Sequence, residues 1–324
     1  MSTRTAQIGI QAPDPPSEFR HEAFLYAGED RFLSGAVPFI RDGVAAGEPV
    51  LAAVSAARAR LLASTLGAEA ERVRFAEMDD VGRNPARIIP VWREFLDVHA
   101  VADRPVRGIG EPVWPGRSMA ELVECRNHES LLNLAFGGDV PWRLMCPYDV
   151  EALDAAALDV ARTTHPCLVD EDGIERESES YVSPAEAPGP FDGMIPEPPP
   201  RSAAMTFAEG DLTRVRRLVY RHASEAGLGA QRAANVVLAV SELAANSVRH
   251  AGGRGTVRVW TEPEEFLGEV SDGGHFDSPL VGRTRPTPVQ LYGRGLWLVN
   301  QVCDLVQIRT SERGSVVRVH MRLE

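Results

Sequence analysis

The 324-residue chain contains no lysine; all 34 of its basic residues are arginine. Every mechanism that needs a lysine is thereby excluded, including the Walker A amine that reaches the β- and γ-phosphates in P-loop enzymes. Cysteine is scarce as well. Cys125, Cys146, Cys167 and Cys303 stand far apart with no C-x-x-C pair, which removes a disulfide framework and leaves reduced thiols as the expectation. No stretch approaches the roughly 18 to 20 apolar residues of a membrane span, and MSTRTAQIGIQAPDPPSEFR lacks the apolar centre of a signal peptide. A soluble, cytoplasmic protein with no membrane contact is therefore expected. Positive charge is also in deficit: the net charge of −12 argues against a general affinity for nucleic acid or anionic lipid, which needs clustered cations. A protein partner or a small molecule fits better.

The length suggests two domains, and the pattern divides accordingly. Between Leu168 and Arg201 it collapses: DEDGIERESES carries six acids against one arginine, followed by APGPFDGMIPEPPP. Such a segment repels itself and has little apolar surface to bury, so 169–205 reads as an acidic, proline-rich linker. Residues 1–18 read as a disordered N-terminus. Between them, 19–168 alternates short apolar runs with helical patterns, as in EAFLYA, PVLAAV and RVRFAEM, each followed by a helix. Repeated βα units imply a parallel sheet flanked by helices, an α/β fold. No phosphate loop follows the first strand. The second half, 206–324, differs: two helices, alternating strands TVRVWTE and EFLGEVSD, a glycine-rich loop, another helix and a final strand pair imply an α+β sandwich.

SELAANSVRHAGG places Glu242 and Asn246 four apart, so on a helix they share one face. A carboxylate and an amide oxygen side by side suit a hydrated Mg²⁺ or an oriented water, although such pairs are common on solvated helices. His250, one turn further, is placed to cap carbonyls or meet the negative end of the helix dipole. EVSDGG then ends a strand at Asp272, Gly273 and Gly274, where a carboxylate could accept from an exocyclic amine. GRGLWLVNQ places Gly293, Arg294, Gly295 and Leu296 at a helix start, where exposed N–H groups suit a phosphate chain. Ser315 opens the last strand.

In this order the motifs of about Thr206 to Glu324 resemble the GHKL-type (Bergerat) ATPase domain, and among its members the anti-sigma-factor serine kinases. That resemblance implies ATP and Mg²⁺ as cofactors and a sigma factor or anti-sigma antagonist as protein partner. It implies Glu242 as the base or water-orienting acid, Asn246 as the Mg²⁺ ligand and Asp272 as the adenine acceptor. Gly274, Gly293, Arg294, Gly295 and Leu296 would form the nucleotide loops, and Ser315 would lie near adenine. The usual D-x-G-x-G loop reads DGGHFD here, with Phe276 at the second glycine. Arg283 and Arg285 in the following segment could neutralise γ-phosphate charge, or be solvated loop residues. Histidine kinases share the fold, but no dimerising hairpin fits before Glu242, so neither His128 nor His222 is expected to be a phosphoacceptor.

HEAFLY, GEPVWPGR, ELVECRNHESLLN and CPYDVEAL in the first half resemble the MEDS sensory domain, which implies a RecA- or KaiC-like sheet without a working P-loop. His21, Tyr26, Glu111, Trp114, Cys125, His128 and Glu129, with Cys146, are candidates to line a pocket for a small organic ligand. Ordinary core and capping roles compete with that reading, and Cys125 and His128 at i, i+3 do not by themselves define a metal site. Three functions stay open: a sensor-controlled protein serine/threonine kinase, a nucleotide-dependent binding switch without catalysis, and a small-molecule sensor whose ATPase half mediates a homodimer.

Overall fold

The computed structural model describes residues 18–99, 104–136, 141–287 and 293–323. The expected disordered N-terminus lies outside them, apart from Glu18. The first half is a seven-stranded sheet in the order β3-β2-β4-β5-β1-β6-β7. Its strands are β1 (Phe19–Tyr26), β2 (Val50–Val54), β3 (Val73–Glu77), β4 (Val106–Gly110), β5 (Trp142–Asp149), β6 (Cys167–Val169) and β7 (Glu175–Glu177). All neighbours pair parallel except β6 with β7. Between them run α1 (Gly28–Ala46), α2 (Ala56–Leu66), α3 (Met78–Val81), α4 (Ile88–His99), α5 (Met119–Ala135) and α6 (Ala155–Thr164).

Crossover helices cover both faces, so a central strand is buried on either side. On β2, Val50, Ala52 and Val54 join α1 and α2 in one core, while Leu51 and Ala53 face α4, α5 and α6 in the other. The turn from β1 to α1 holds a single glycine, Gly28, and no lysine, as the lysine-free composition requires.

The second half is a five-stranded antiparallel sheet, order β11-β12-β10-β9-β8. Its strands are β8 (Ala203–Ala208), β9 (Arg254–Thr261), β10 (Glu265–Asp272), β11 (Leu305–Ser311) and β12 (Gly314–Arg322). The helices α7 (Leu212–Glu225), α8 (Ala230–His250) and α9 (Arg294–Val302) cover one face. Val306 and Ile308, Val317 and Val319, and Val270 point into that core. Their alternates Glu269, Gln307, Arg309, Arg318 and His320 are also buried, on the opposite face. Buried polar groups need partners, and these have them. Arg318 donates to Glu269 at 2.6 Å, and the two nitrogens of His320 lie 3.1 Å from Gln307 and 2.9 Å from Glu265.

Two features depart from the sequence expectation. A strand, β8, precedes the two helices at the sheet edge. The acidic stretch is also held rather than loose, because it takes from the folded halves what its own composition lacks. β7 extends the first sheet, Phe191 is buried in the second core, Thr310 N–H donates to the Phe191 carbonyl at 2.9 Å, and Arg318 donates to the Pro196 carbonyl at 2.7 Å.

The halves meet along α5 and the turn before α4. Glu124 on α5 accepts from Arg309 at 2.9 Å and faces Arg283 at 3.7 Å, all three being buried. Its neighbour Glu121 accepts from Arg322 at 2.9 Å. Arg87 donates to the carbonyls of Asn300 at 2.8 Å and Cys303 at 2.6 Å, capping the carboxyl end of α9, whose last carbonyls have no partner within the helix. The entry to α5 is fixed by a reciprocal capping box, with the Ser118 side chain accepting from Glu121 N–H and Glu121 from Ser118 N–H.

Candidate functional site

The amphipathic pattern of α8 buries Val236, Val240, Leu243 and Ser247 and leaves Glu242 and Asn246 half-buried on its flank. α9 begins against that flank, with Gly293 as its N-cap. A Cβ on Gly295 would stand 3.1 Å from Glu242 Oε2 and 3.2 Å from Asn246 Nδ2, so the acid and the amide lie against the first turn of α9, and a larger residue there would push them back by a few tenths of an ångström. Asn246 Oδ1 accepts from the exposed Arg249 at 3.1 Å. Arg294 is exposed, whereas Leu296 is buried in the core. Leu296 therefore offers the site its backbone and not its side chain.

Asp272 ends β10 beside these groups. Ser247 on α8 donates to one of its carboxylate oxygens and Gly274 N–H to the other at 2.9 Å. Ser315, which pairs with Asp272 across the β10–β12 ladder, donates to the Gly274 carbonyl at 2.7 Å. Gly314 approaches so closely that a Cβ there would sit 1.9 Å from the Asp272 carbonyl oxygen. Glu242, Asn246 and Gly295 thus form one part of a rim, and Asp272, Gly274 and Ser315 another. Ser247 joins the two parts of that rim, and sequence spacing did not single it out because it reads as one more core position of α8. Phe276, at the glycine position of the loop, packs on the core with its ring 5.8 Å from that of Phe191. Arg283 is turned away and buried against Glu124. Neither alternative for it, a solvated loop residue or a phosphate neutraliser, describes its place: it is buried and faces a carboxylate of the other half.

The pocket candidates of the first half do not form one pocket. Tyr26 and Glu111 stand at strand ends with Arg58, which donates to the Tyr26 hydroxyl at 2.6 Å and lies 3.5 Å from Glu111. Burial lifts the Glu111 carboxyl to about 7, against the opposing pull of Arg58. The Trp114 ring is covered by the Arg117 guanidinium at 3.4 Å. Cys125 donates to the Pro112 carbonyl at 3.3 Å, and burial pushes its thiol up to about 12. His128 is buried, held well below the usual imidazole range by burial and by Arg283 and His21. His21 and Glu129 belong together, 3.1 Å apart, with Cys146 beside them. The fourth member of this cluster is His165, which sequence reasoning passed over because TTHP reads as a helix stop.

Comparison with known proteins agrees with this division. Residues 20–166 match the model of MEDS, the methanogen/methylotroph, DcmR sensory domain, and residues 205–321 that of the histidine kinase-like ATPase domain. No curated protein matches. Among solved structures, the crystal structure of the RsbU and RsbW domains of a Mycobacterium tuberculosis protein is 16% identical, with a TM-score of 0.29, over 37% of this chain and 32% of that one. The chain thus spans about a third of that structure's length. Among the described residues no helix is long and apolar enough to cross a membrane. The chain is a signalling regulator that joins a MEDS sensory domain to a histidine kinase-like ATPase domain.

Proposed function

We propose that the ATPase half is a protein serine/threonine kinase of the anti-sigma type, controlled by the sensory half and acting on a sigma-factor antagonist or a related partner in the cytoplasm. The supporting observation is the meeting of Glu242 and Asn246 with Gly295 at the start of α9. That meeting fits a metal-bound phosphate chain: the Asn246 amide and the Glu242 carboxylate lie beside the first turn of a helix, its positive end. When bound through Asn246, Mg²⁺ supplies charge neutralisation of the phosphates. Arg249, exposed, swings away from Asn246 at little cost. Asp272 accepts from the adenine amine while Ser247 and Gly274 hold its carboxylate in place. The N–H groups of Gly293 to Leu296 hold the phosphates. Glu242 takes the proton of the partner's hydroxyl as that oxygen bonds to the γ-phosphorus and the bond to the β,γ-bridging oxygen breaks, leaving ADP.

Calorimetric titration of the full chain with Mg-ATP tests the foundation: binding that is lost in Asp272→Asn supports it, and no binding by the folded wild-type chain overturns it. With labelled ATP and a partner, Glu242→Gln should retain binding while transfer falls by about 10²- to 10⁴-fold. A second reading, a nucleotide-dependent binding switch without transfer, is favoured by Phe276 packing toward Phe191 where the family has a mobile glycine. ATP-dependent partner capture with no phosphoserine formed would establish it in place of the kinase.

A further inference from the structure

Inside the first half, away from the nucleotide rim, four side chains aim one atom each at a common point. His21 Nε2 lies 3.1 Å from Glu129 Oε2 and 3.4 Å from Cys146 Sγ. Glu129 Oε2 lies 3.6 Å from His165 Nε2 and 3.8 Å from Cys146 Sγ, and all four atoms fall within 4.8 Å of one another. The residues come from β1, α5, β5 and the chain just after α6, and none is more than 1% exposed.

The surrounding hydrogen bonds decide which atoms carry protons. Asn133 donates its amide N–H to the Thr164 carbonyl at 2.8 Å, which leaves its oxygen facing His21 Nδ1 at 3.0 Å. Nδ1 of His21 therefore carries a hydrogen, which in the neutral ring leaves a lone pair on Nε2. His165 Nδ1 faces the Ala161 carbonyl at 3.0 Å, an acceptor, so its Nε2 also carries a lone pair; that atom has no hydrogen-bond partner among the described residues. Tyr148 donates to the other oxygen of Glu129 at 3.2 Å, and no arginine pairs with this carboxylate among the described ion pairs. With both rings neutral, two imidazole lone pairs turn toward the same Glu129 oxygen, with the Cys146 thiol beside it. Lone pairs facing each other in a buried cluster are costly unless a proton or a cation sits between them.

We propose that His21, Glu129, Cys146 and His165 form a tetrahedral site for a divalent transition ion of the zinc class. Bond lengths of about 2.0–2.3 Å in a tetrahedron give ligand-to-ligand edges of about 3.3–3.6 Å, close to four of the six edges present here. The donor set of two imidazoles, one thiolate and one carboxylate suits a borderline ion and not the hard, oxygen-seeking Ca²⁺ or Mg²⁺. Charge balances: with the thiol proton released to solvent, the carboxylate and thiolate neutralise a divalent ion. Asn133 and the Ala161 carbonyl take the Nδ1 hydrogens, the outer contacts that fix the tautomer of a metal-bound histidine. With four protein ligands and no open position, the site holds a metal rather than performing hydrolysis, and it ties α5 to the sheet.

The test uses the full chain, stripped with chelator and titrated with Zn²⁺ against a chromophoric competitor, then with Co²⁺. The expected result is one equivalent bound and a Co²⁺ spectrum with tetrahedral d–d bands and a thiolate charge-transfer band. That band should vanish in Cys146→Ser and persist in Cys125→Ser. X-ray absorption on the wild-type zinc form, which needs no variant to fold, should show one sulfur and three nitrogen or oxygen neighbours. A folded wild-type chain that takes up neither ion overturns the proposal, as does a sulfur-free shell or a charge-transfer band that follows Cys125.

Discussion

The two halves place their polar chemistry in opposite positions. In the sensory half, crossover helices cover both faces of a parallel sheet, so some titratable groups are sealed between sheet and helix, like His21 and Glu129, and others gather at strand ends, like Tyr26 and Glu111. In the ATPase half, helices cover one face only. Its candidate site residues sit on a half-buried flank, while the other face carries Glu269, Arg309, Arg318 and His320, shielded by the linker and the first half. A sheet with two covered faces can isolate a ligand from water; a sheet with one covered face keeps a second surface for docking.

The comparison breaks most visibly at Glu124. If the docking face is a true interior, Glu124→Ala leaves Arg283 and Arg309 buried without their carboxylate, and about 3–5 kcal/mol of stability should be lost. Urea unfolding of the full chain measures this; a loss below about 0.5 kcal/mol would mean that the face behaves as surface. A smaller effect concerns the strand ends of the sensory half. The Glu111 carboxyl titrates near 7 in the folded chain against an ordinary 4.5, so the folded state holds its proton more tightly. The stabilisation is complete below about pH 4.5 and is lost as pH rises through 7, by no more than about 3 kcal/mol. Melting temperatures across that window should fall in the wild-type chain and flatten in Glu111→Gln. The smallest effect is at the entry to α5: Ser118→Ala removes half of a capping box and should cost about 1 kcal/mol, read from the same unfolding curves.

Much of this architecture was legible in the pattern. The doubly apolar VLAAV and the alternation of EFLGEV follow from local periodicity, and the glycine before RGLWLVNQ marks where α9 opens. The docking face was not legible, for a physical reason. Glu121 and Glu124 fall where a helix pattern reads as solvated surface, and Arg283 as a loop cation; only the other half of the chain makes them interior. β8 and the held linker were hidden likewise: AAMTFA is short and buries only Phe207, the linker has few apolar residues, and both borrow partners from folded neighbours. His165 lacked any periodic signal, because its place in a cluster depends on β1, α5 and β5 meeting in space.

α9 is nine residues long, a rod of about 13 Å. Its first residues face Glu242 and Asn246, and its last carbonyls are held by Asn84 and Arg87 of the other half. A helix this short has no room to absorb a displacement by bending. Cutting the protein at the linker is therefore not a clean dissection: an isolated ATPase half would lose the partners of its helix carbonyls and loosen the amino end of α9. Its behaviour would report the damage as much as the domain.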